Sequence, residues 1–444
     1  MFKRIIEKEL ECWSTDKYRK PLVLRGARQV GKTTIVNRFA NKFDNYLPVN
    51  LEKSDAVKLF ESTDDVKKIL PLLFLYCNIT RLDGSTLLFI DEIQNSPHTV
   101  SLLRFFYEEM PEIHVIAAGS LLETILNKHI SLPVGRVQYM ALHPCSFIEF
   151  LNAIGEERFI EPISNAELPD VFHNQTNELF HRYSLIGGMP EAIARYAIER
   201  DFTVLDKVYN ALVNAYKSDV EKYAKNNTQG AVIRYILEEG WSFSGETITL
   251  GGFGGSPYKA RETGEAFRML EKAMLLELVY PLTSALMPMI SDLKKAPKLF
   301  WLDAGLVNYI ANIRKEYVTS GDLIDTWKGK AAEQIVAQEL KVLSTEVGAR
   351  RNFWIRAKRG STAEVDLVYL FDGMIIPIEV KNSHNSHLKS LHQFMDETSH
   401  GIGIRVWSGK YSIDEVKTQN SKVFRLVNLP FYMISALPDI LKKM

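Results

Sequence analysis

Apolar positions along this chain fall into short runs broken by glycine, proline and polar clusters. Residues 20–25, KPLVLR, predict a short buried strand. In residues 85–94, STLLFIDEIQ, an unbroken apolar run ends at Asp91 and Glu92, the form of a strand covered on both faces of a parallel sheet. IHVIAAGS predicts a third strand ending at Ser120 on the same edge. Residues 156–235 carry a mostly helical pattern. Within 228–300 a glycine-rich turn leads into a helix over about Ala260 to Ala273 and then an apolar strand. TWKGKAAEQIVAQELKVL, 326–343, is amphipathic at helical spacing. Strand-like FWIRAK, AEVDLVYL and MIIPIEVK follow, then a helix around LKSLHQFM and a last strand, GIGIRVWS. Alternation places Glu379 and Lys381 on one face of MIIPIEVK, with Val380 opposite. Asp372-Gly373 between the second and third of these strands favours a tight hairpin.

A chain of 444 residues with 46% apolar content is sized for roughly three domains. Lys+Arg (54) balance Asp+Glu (54), which argues against a strongly basic nucleic-acid binder and leaves room for a local basic face. MFKRIIEKELECW has charges where a signal peptide needs an apolar run, and no apolar stretch reaches membrane-spanning length. A cytoplasmic protein without a membrane partner is expected. Cys12, Cys77 and Cys145 are far apart and predict neither disulfides nor a zinc site.

The chemistry begins after the first strand. GARQVGKTT fits G-x-x-x-x-G-K-[ST] at Gly26, Gly31, Lys32 and Thr33. Such glycines let the backbone curl so that its N–H groups face phosphate oxygens. The loop Gly26, Ala27, Arg28, Gln29, Val30 and Gly31, with Lys32, Thr33 and Thr34, is therefore the expected cradle for ATP. Lys32 is expected at the β- and γ-phosphates, and the helix starting near Thr33 points its positive end at the anion. Thr33 and Asp91 are the expected Mg2+ ligands. Glu92 is expected to polarise the attacking water, so hydrolysis is expected as well as binding. Ser120 can position that water or cap the helix that follows it.

With these motifs in order, the chain resembles the AAA+ ATPases, and within them a prokaryotic branch that reads GxRQVGKT, then IDEIQ, then a strand ending in GS. GRVQYMALHPCSFIEFL matches the branch at Gly135, Arg136, Pro144, Phe147 and Glu149. The resemblance implies that Arg136 acts on the nucleotide, across a subunit boundary; a surface ion pair is the alternative for a single arginine. IGGMPEAI (186–193) and SDVEKYA (218–224) also match, without assigned chemistry, and no second-sensor arginine is identifiable. Similar proteins carry a winged-helix-like unit around 228–300. Lys259, Arg261, Arg268 and Lys272 would then meet DNA, whereas Glu262, Glu265 and Glu271 on the same helix fit a solvated face.

KLFWLDAGLVNYI, 298–310, resembles a motif of the uncharacterised domain that often follows this ATPase module. Helix, three strands, helix, strand is also the core order of PD-(D/E)xK nucleases. That resemblance implies a second Mg2+ or Mn2+ held by Glu333, Asp366 and Glu379, with Lys381 acting on water or phosphate and Glu364 as a rival ligand. Arg356, Lys358, Arg359, His384, His387 and Lys389 would contact phosphates or form an ordinary surface. The expected fold is α/β: a P-loop AAA+ domain with a parallel sheet (1–155), a helical and winged-helix-like region (156–300) and a restriction-endonuclease-like domain (301–444). The expected function is ATP hydrolysis coupled to a nuclease-like domain that acts on or binds DNA. The alternative is a nucleotide-dependent switch or scaffold whose last domain binds protein or nucleic acid without catalysis. ATP is the expected ligand, DNA or a protein the candidate partner, and an oligomer stays open.

Overall fold

The computed structural model describes residues 2–80, 83–119, 133, 135–220, 224, 226–311, 330–358, 360–381 and 388–444. Its amino-terminal part is a parallel sheet of β1 (Leu22–Arg25), β2 (Asn45–Asn50), β3 (Thr86–Asp91), β4 (His114–Gly119) and β5 (Gln138–Ala141), in the order β2-β3-β4-β1-β5. All six residues of β3 are buried, as its continuous apolar run requires. Alternation along the strands separates two cores. Leu22, Leu24, Leu87 and Phe89 face one, against α1 (Ile6–Thr15) and α2 (Lys32–Phe39). Val23, Leu88 and Ile90 face the other, against α3 (Ser54–Glu61), α4 (Val66–Tyr76) and α5 (Pro97–Glu109).

The chain then runs through α6 (Phe147–Ile154), α7 (His173–Ile186), α8 (Pro190–Glu199), α9 (Leu205–Ser218), α10 (Asn227–Glu239) and α11 (Ala260–Lys272). Ser146 and Glu149 form a capping box at the start of α6, and Pro190 opens α8 where its fixed φ suits a first helical turn. After β6 (Leu276–Val279), the short β7 (Pro281–Leu282) and β8 (Lys298–Trp301) come α12 (Ala304–Ile310) and α13 (Lys330–Val342).

The carboxyl-terminal sheet contains β9 (Asn352–Ile355), β10 (Glu364–Phe371), β11 (Met374–Lys381), β12 (Ile402–Trp407), β13 (Ser412–Lys417) and β14 (Val423–Pro430), with α14 (Lys389–Glu397) before β12. Its order is β13-β14-β12-β11-β10-β9-β7. β7 comes from the stretch expected to belong to the middle region; it pairs with β9 at the sheet's edge, where Pro281 costs no ladder bond. The β10–β11 hairpin closes through Asp372 and Gly373, both at positive φ (46° and 71°), with Phe371 opposite Met374. That is the two-residue turn Asp-Gly favours.

IGGMPEAI, KLFWLDAGLVNYI and the HPCSF segment after β5 meet in one buried hub. The Asp303 carboxylate accepts from the Gly188 and Leu306 N–H groups at 2.5 and 3.0 Å, so it holds the Gly-Gly turn while capping α12. The Cys145 N–H donates to the Gly188 carbonyl at 2.7 Å. From α13, Gln338 accepts from the Ala304 N–H and Glu339 from the Phe147 N–H. The hub therefore ties the segment after β5 to the helical part and to α13. No helix among the described residues is long and apolar enough to cross a membrane.

Candidate functional site

β1 ends at Arg25, and the chain turns at Gly26 under the backbone of the segment after β5. A Cβ at Gly26 would lie 2.6 Å from the Leu142 carbonyl oxygen, so only glycine fits. Gln29 (φ 65°) and Gly31 (φ 96°) then take left-handed conformations, and α2 starts at Lys32. This is a phosphate-sized curl ending on a helix amino terminus. The Lys32 ammonium donates to the Gly26 and Ala27 carbonyls at 2.9 Å each. Burial pulls its pKa down to about 8, with Glu92 and Asp91 opposing. Val30 is buried, whereas Thr33 and Thr34 are exposed on the first turn of α2.

Long-range contacts pin this loop from two sides. Arg28 Nη1 donates to both Asp219 carboxylate oxygens at 2.7 Å, and the Tyr216 hydroxyl donates to the Arg28 carbonyl at 3.2 Å. Asp219 is buried, directly after α9, which puts the start of the SDVEKYA stretch against the loop. On the other side, buried Arg4 donates to the Val30 carbonyl at 3.1 Å and pairs with Glu149 at 2.8 Å. Glu149 also accepts from the Ile5 and Ser146 N–H groups. Neither the Arg28–Asp219 nor the Arg4–Glu149 pairing is visible in the sequence, although three of the four residues lie inside motifs.

Asp91 ends β3, and its Oδ2 accepts from the Thr33 hydroxyl at 2.7 Å. The two residues expected to share a metal are therefore adjacent. Glu92 sits in the left-handed region (φ 52°), and its carboxylate accepts from the Gln94 amide. The donor set, a carboxylate against a hydroxyl beside a glycine cradle and an ammonium, fits a nucleotide with its magnesium. Ser120 lies outside the described residues. Arg136 precedes β5, and the parallel register Leu22↔Gln138 places it at the amino end of that strand, opposite the edge that carries Gly26. It is exposed there and donates to Glu108 at 2.7 Å. Within this chain it lies on the edge of the sheet away from the phosphate loop.

The second expected site also gathers its residues. Pairing of Leu367 with Ile378 puts Asp366 across from Glu379, and Asp366 accepts from the Val380 N–H at 2.8 Å. Lys381 pairs with Glu379 at 2.8 Å, and the second Glu379 oxygen is buried without a hydrogen-bond partner. The group at the centre is Lys298, the first residue of β8, only 3% exposed. Its ammonium lies 2.8 Å from Glu333, 2.8 Å from Glu364 and 4.0 Å from Asp366. Burial alone would lower its pKa, but these three carboxylates hold it above the ordinary lysine value. Burial, with Asp366 next, pushes Glu333 and Glu379 up to about 7, and burial raises Asp366 itself.

The acids expected to hold a second metal are thus brought together, without forming an arrangement that shows a metal site. Among the described residues no three metal-ligating side chains are arranged to hold an ion. The physical reason is that a lysine ammonium already stands among the carboxylates. Lys298 carried one usable signal, a charged residue in a four-residue strand that is otherwise apolar. Around the cluster, Arg356 pairs with Glu397 at 2.7 Å, Lys358 and Lys389 are exposed, and Arg359, His384 and His387 lie outside the described residues.

Three family models match the chain. Residues 18–151 match an AAA domain, residues 177–317 a domain of unknown function (DUF8612), and residues 328–431 another domain of unknown function (DUF4143). No curated protein matches. Among solved structures, the chain is similar to the Walker-type ATPase paby2304 of Pyrococcus abyssi, with 13% identity, a TM-score of 0.43, and coverage of 70% of this chain and 96% of that one. It is also similar to Thermotoga maritima RuvB (16%, TM-score 0.29, 65% and 91% covered) and to Aeropyrum pernix Orc1 in complex with DNA (14%, TM-score 0.24, 71% and 91% covered). At such scores the likeness specifies neither ligand nor activity. The model match over 18–151 encloses the glycine loop, Lys32, Asp91 and Glu92, and the amino-terminal sheet is accordingly that of an AAA-type ATPase domain.

Proposed function

We propose that the chain hydrolyses Mg2+-ATP and passes its nucleotide state to the carboxyl-terminal sheet, which binds its target without catalysing a reaction. The observation that carries the first half is the 2.7 Å hydrogen bond from Thr33 to Asp91 beside the Gly26–Gly31 curl. Magnesium, held by Thr33 and Asp91, would supply charge neutralisation at the phosphates. Lys32 swings from the Gly26 and Ala27 carbonyls to the phosphate oxygens. Glu92 orients a water and takes its proton as that oxygen bonds to the γ-phosphorus and the bond to the leaving ADP breaks. Asp219, through Arg28, joins the loop to α9, and the hub round Asp303 and Glu339 continues that path to α13 and the second sheet.

The second half rests on Lys298, whose ammonium occupies the middle of the acidic cluster. A nuclease reading keeps one supporting observation, the unpartnered buried oxygen of Glu379, which a metal ion would satisfy. DNA is then the target, and Arg136 acts on the nucleotide of a neighbouring subunit. The test is Mg2+-dependent ATPase activity in the wild type, Lys32→Ala and Glu92→Gln, run beside cleavage of linear, circular and branched DNA with Mg2+ or Mn2+. Phosphate release that persists in Lys32→Ala rejects the ATPase assignment. Cleavage that is lost in Asp366→Ala and Lys381→Ala replaces the binding role with nuclease chemistry.

A further inference from the structure

A cavity of about 350 Å3 opens where the three parts of the chain meet, lined by residues that neither site uses. Arg25, the end of β1, forms one wall. Arg268 and Lys272 enter from α11, and Lys341, Arg350 and Arg351 from α13 and the segment before β9. Only two carboxylates, Glu271 and Glu277, line the cavity with these six cations. Glu277 is taken up by Lys341 at 2.9 Å and Arg351 at 3.0 Å, and Glu271 accepts the Leu278 N–H at 2.8 Å. The wall therefore carries a surplus of positive charge.

His143 supplies a second, independent observation. It lines the cavity, and its Nε2 is buried without a hydrogen-bond partner. Burial, then Lys341 and Arg351, push its pKa down to about 3, so a neutral imidazole keeps an unused ring nitrogen in a positive field. Met274, Leu302 and Val347 add apolar surface. A concave space of this size, part apolar and ringed by cations, has the character of a small-ligand site. Arginine and lysine at this density select phosphate groups.

We propose that this cavity binds a nucleoside di- or triphosphate at a site separate from the phosphate loop. Arg268 and Lys272 are then ligands of a small molecule, not readers of DNA. The site adjoins the ATPase centre through the backbone. Arg25 is the residue before Gly26, and its carbonyl accepts the Leu142 N–H at 2.7 Å, next to the Leu142 carbonyl that excludes any Cβ at Gly26. Occupancy would thus bear on the geometry of the phosphate loop.

The experiment is equilibrium dialysis of the full-length chain against labelled ATP and ADP, with inorganic tripolyphosphate and a single-stranded oligothymidylate as competing probes. The wild type is expected to bind two nucleotides per chain and the Arg268→Glu/Arg350→Glu variant one. Lys32→Ala is expected to keep the site that the double variant loses. An unchanged melting temperature shows that the double variant folds, and Arg350→Ala alone, a milder change, is expected to weaken the second site at least fivefold. One nucleotide per wild-type chain, with Arg268→Glu/Arg350→Glu unaltered, overturns the proposal. So does tripolyphosphate competing as well as ATP, which would leave the apolar wall without a role. Oligothymidylate bound through Arg268 and Arg350 while mononucleotides are not would assign the cleft to a nucleic-acid backbone instead.

Discussion

Lys32 and Lys298 are both buried lysines in a site full of oxygen atoms, and their surroundings push them in opposite directions. Lys32 donates to two neutral carbonyls, and burial draws its pKa down to about 8. Lys298 faces three carboxylates that outweigh its burial and raise it. Lys32 has its nearest anions, Asp91 and Glu92, one step away, and Asp91 is engaged by Thr33. It stands in a place built for an anion the chain does not supply. Lys298 finds its counter-charges within the fold. A ligand site and an internally paired lysine can thus share residue types and differ in who provides the ammonium's counter-charge.

The largest effect expected from this difference is functional and falls on the first site. Lys32→Ala should lower ATPase turnover by about a thousandfold or more, since charge aimed at the transferring phosphoryl group is worth several kcal/mol. Steady-state phosphate release checks it, and the melting temperature of the variant should stay close to that of the wild type. Lys298→Met should do the reverse. It strands buried carboxylates, at a cost of about 3–5 kcal/mol, and chemical denaturation should show that loss while ATPase activity of the folded fraction survives. If the ammonium is what keeps a metal out, millimolar Mn2+ should restore part of the stability in Lys298→Met and none in the wild type. Equal stabilisation of both proteins would refute the reading that Lys298 occupies the metal's place.

Asp219→Asn sharpens the comparison from the outside. It keeps the shape of the side chain but removes the charge that fixes Arg28 against α9. An about tenfold fall in kcat is expected, the scale of one charge-assisted hydrogen bond positioning a catalytic loop. The effect should be smaller in Arg28→Ala/Asp219→Asn than the sum of the single changes, because the pair acts as a unit.

Much of this was legible in the sequence, for local reasons. The strand before Gly26, the run into Asp91 and the Asp-Gly hairpin are set by neighbours along the chain. So is the sharing of one face by Glu379 and Lys381. Arg28 and Asp219 are 191 residues apart, Arg4 and Glu149 145, and Lys298 and Glu333 35. No period or propensity links such positions, so the sequence marks them only as motif letters. Arg136 is the counterpart case: its motif suggested a nucleotide contact across a subunit boundary or a surface ion pair, and within this chain it lies at the far edge of the sheet, paired with Glu108. The metal expectation at Asp366 and Glu379 named acids that the fold brings together, and it did not include Lys298, which stands among them.

The smallest effect expected follows from the pKa of Lys32 itself. In the free protein its charge is present below about pH 8 and is lost as pH rises through that value, because burial has lowered it. Phosphate binding needs the charged form, so ATP affinity should fall with rising pH. Between pH 7.5 and 9 the protonated fraction drops about eightfold, which sets the expected change in Kd. Lys298, held above its ordinary value by carboxylates, should contribute nothing over the same interval. Lys32→Arg removes the titration, since a guanidinium stays charged throughout, and its Kd should be flat from pH 7.5 to 9 even if weaker overall. A slope that persists in Lys32→Arg would place the titrating group elsewhere and remove the contrast between the two lysines.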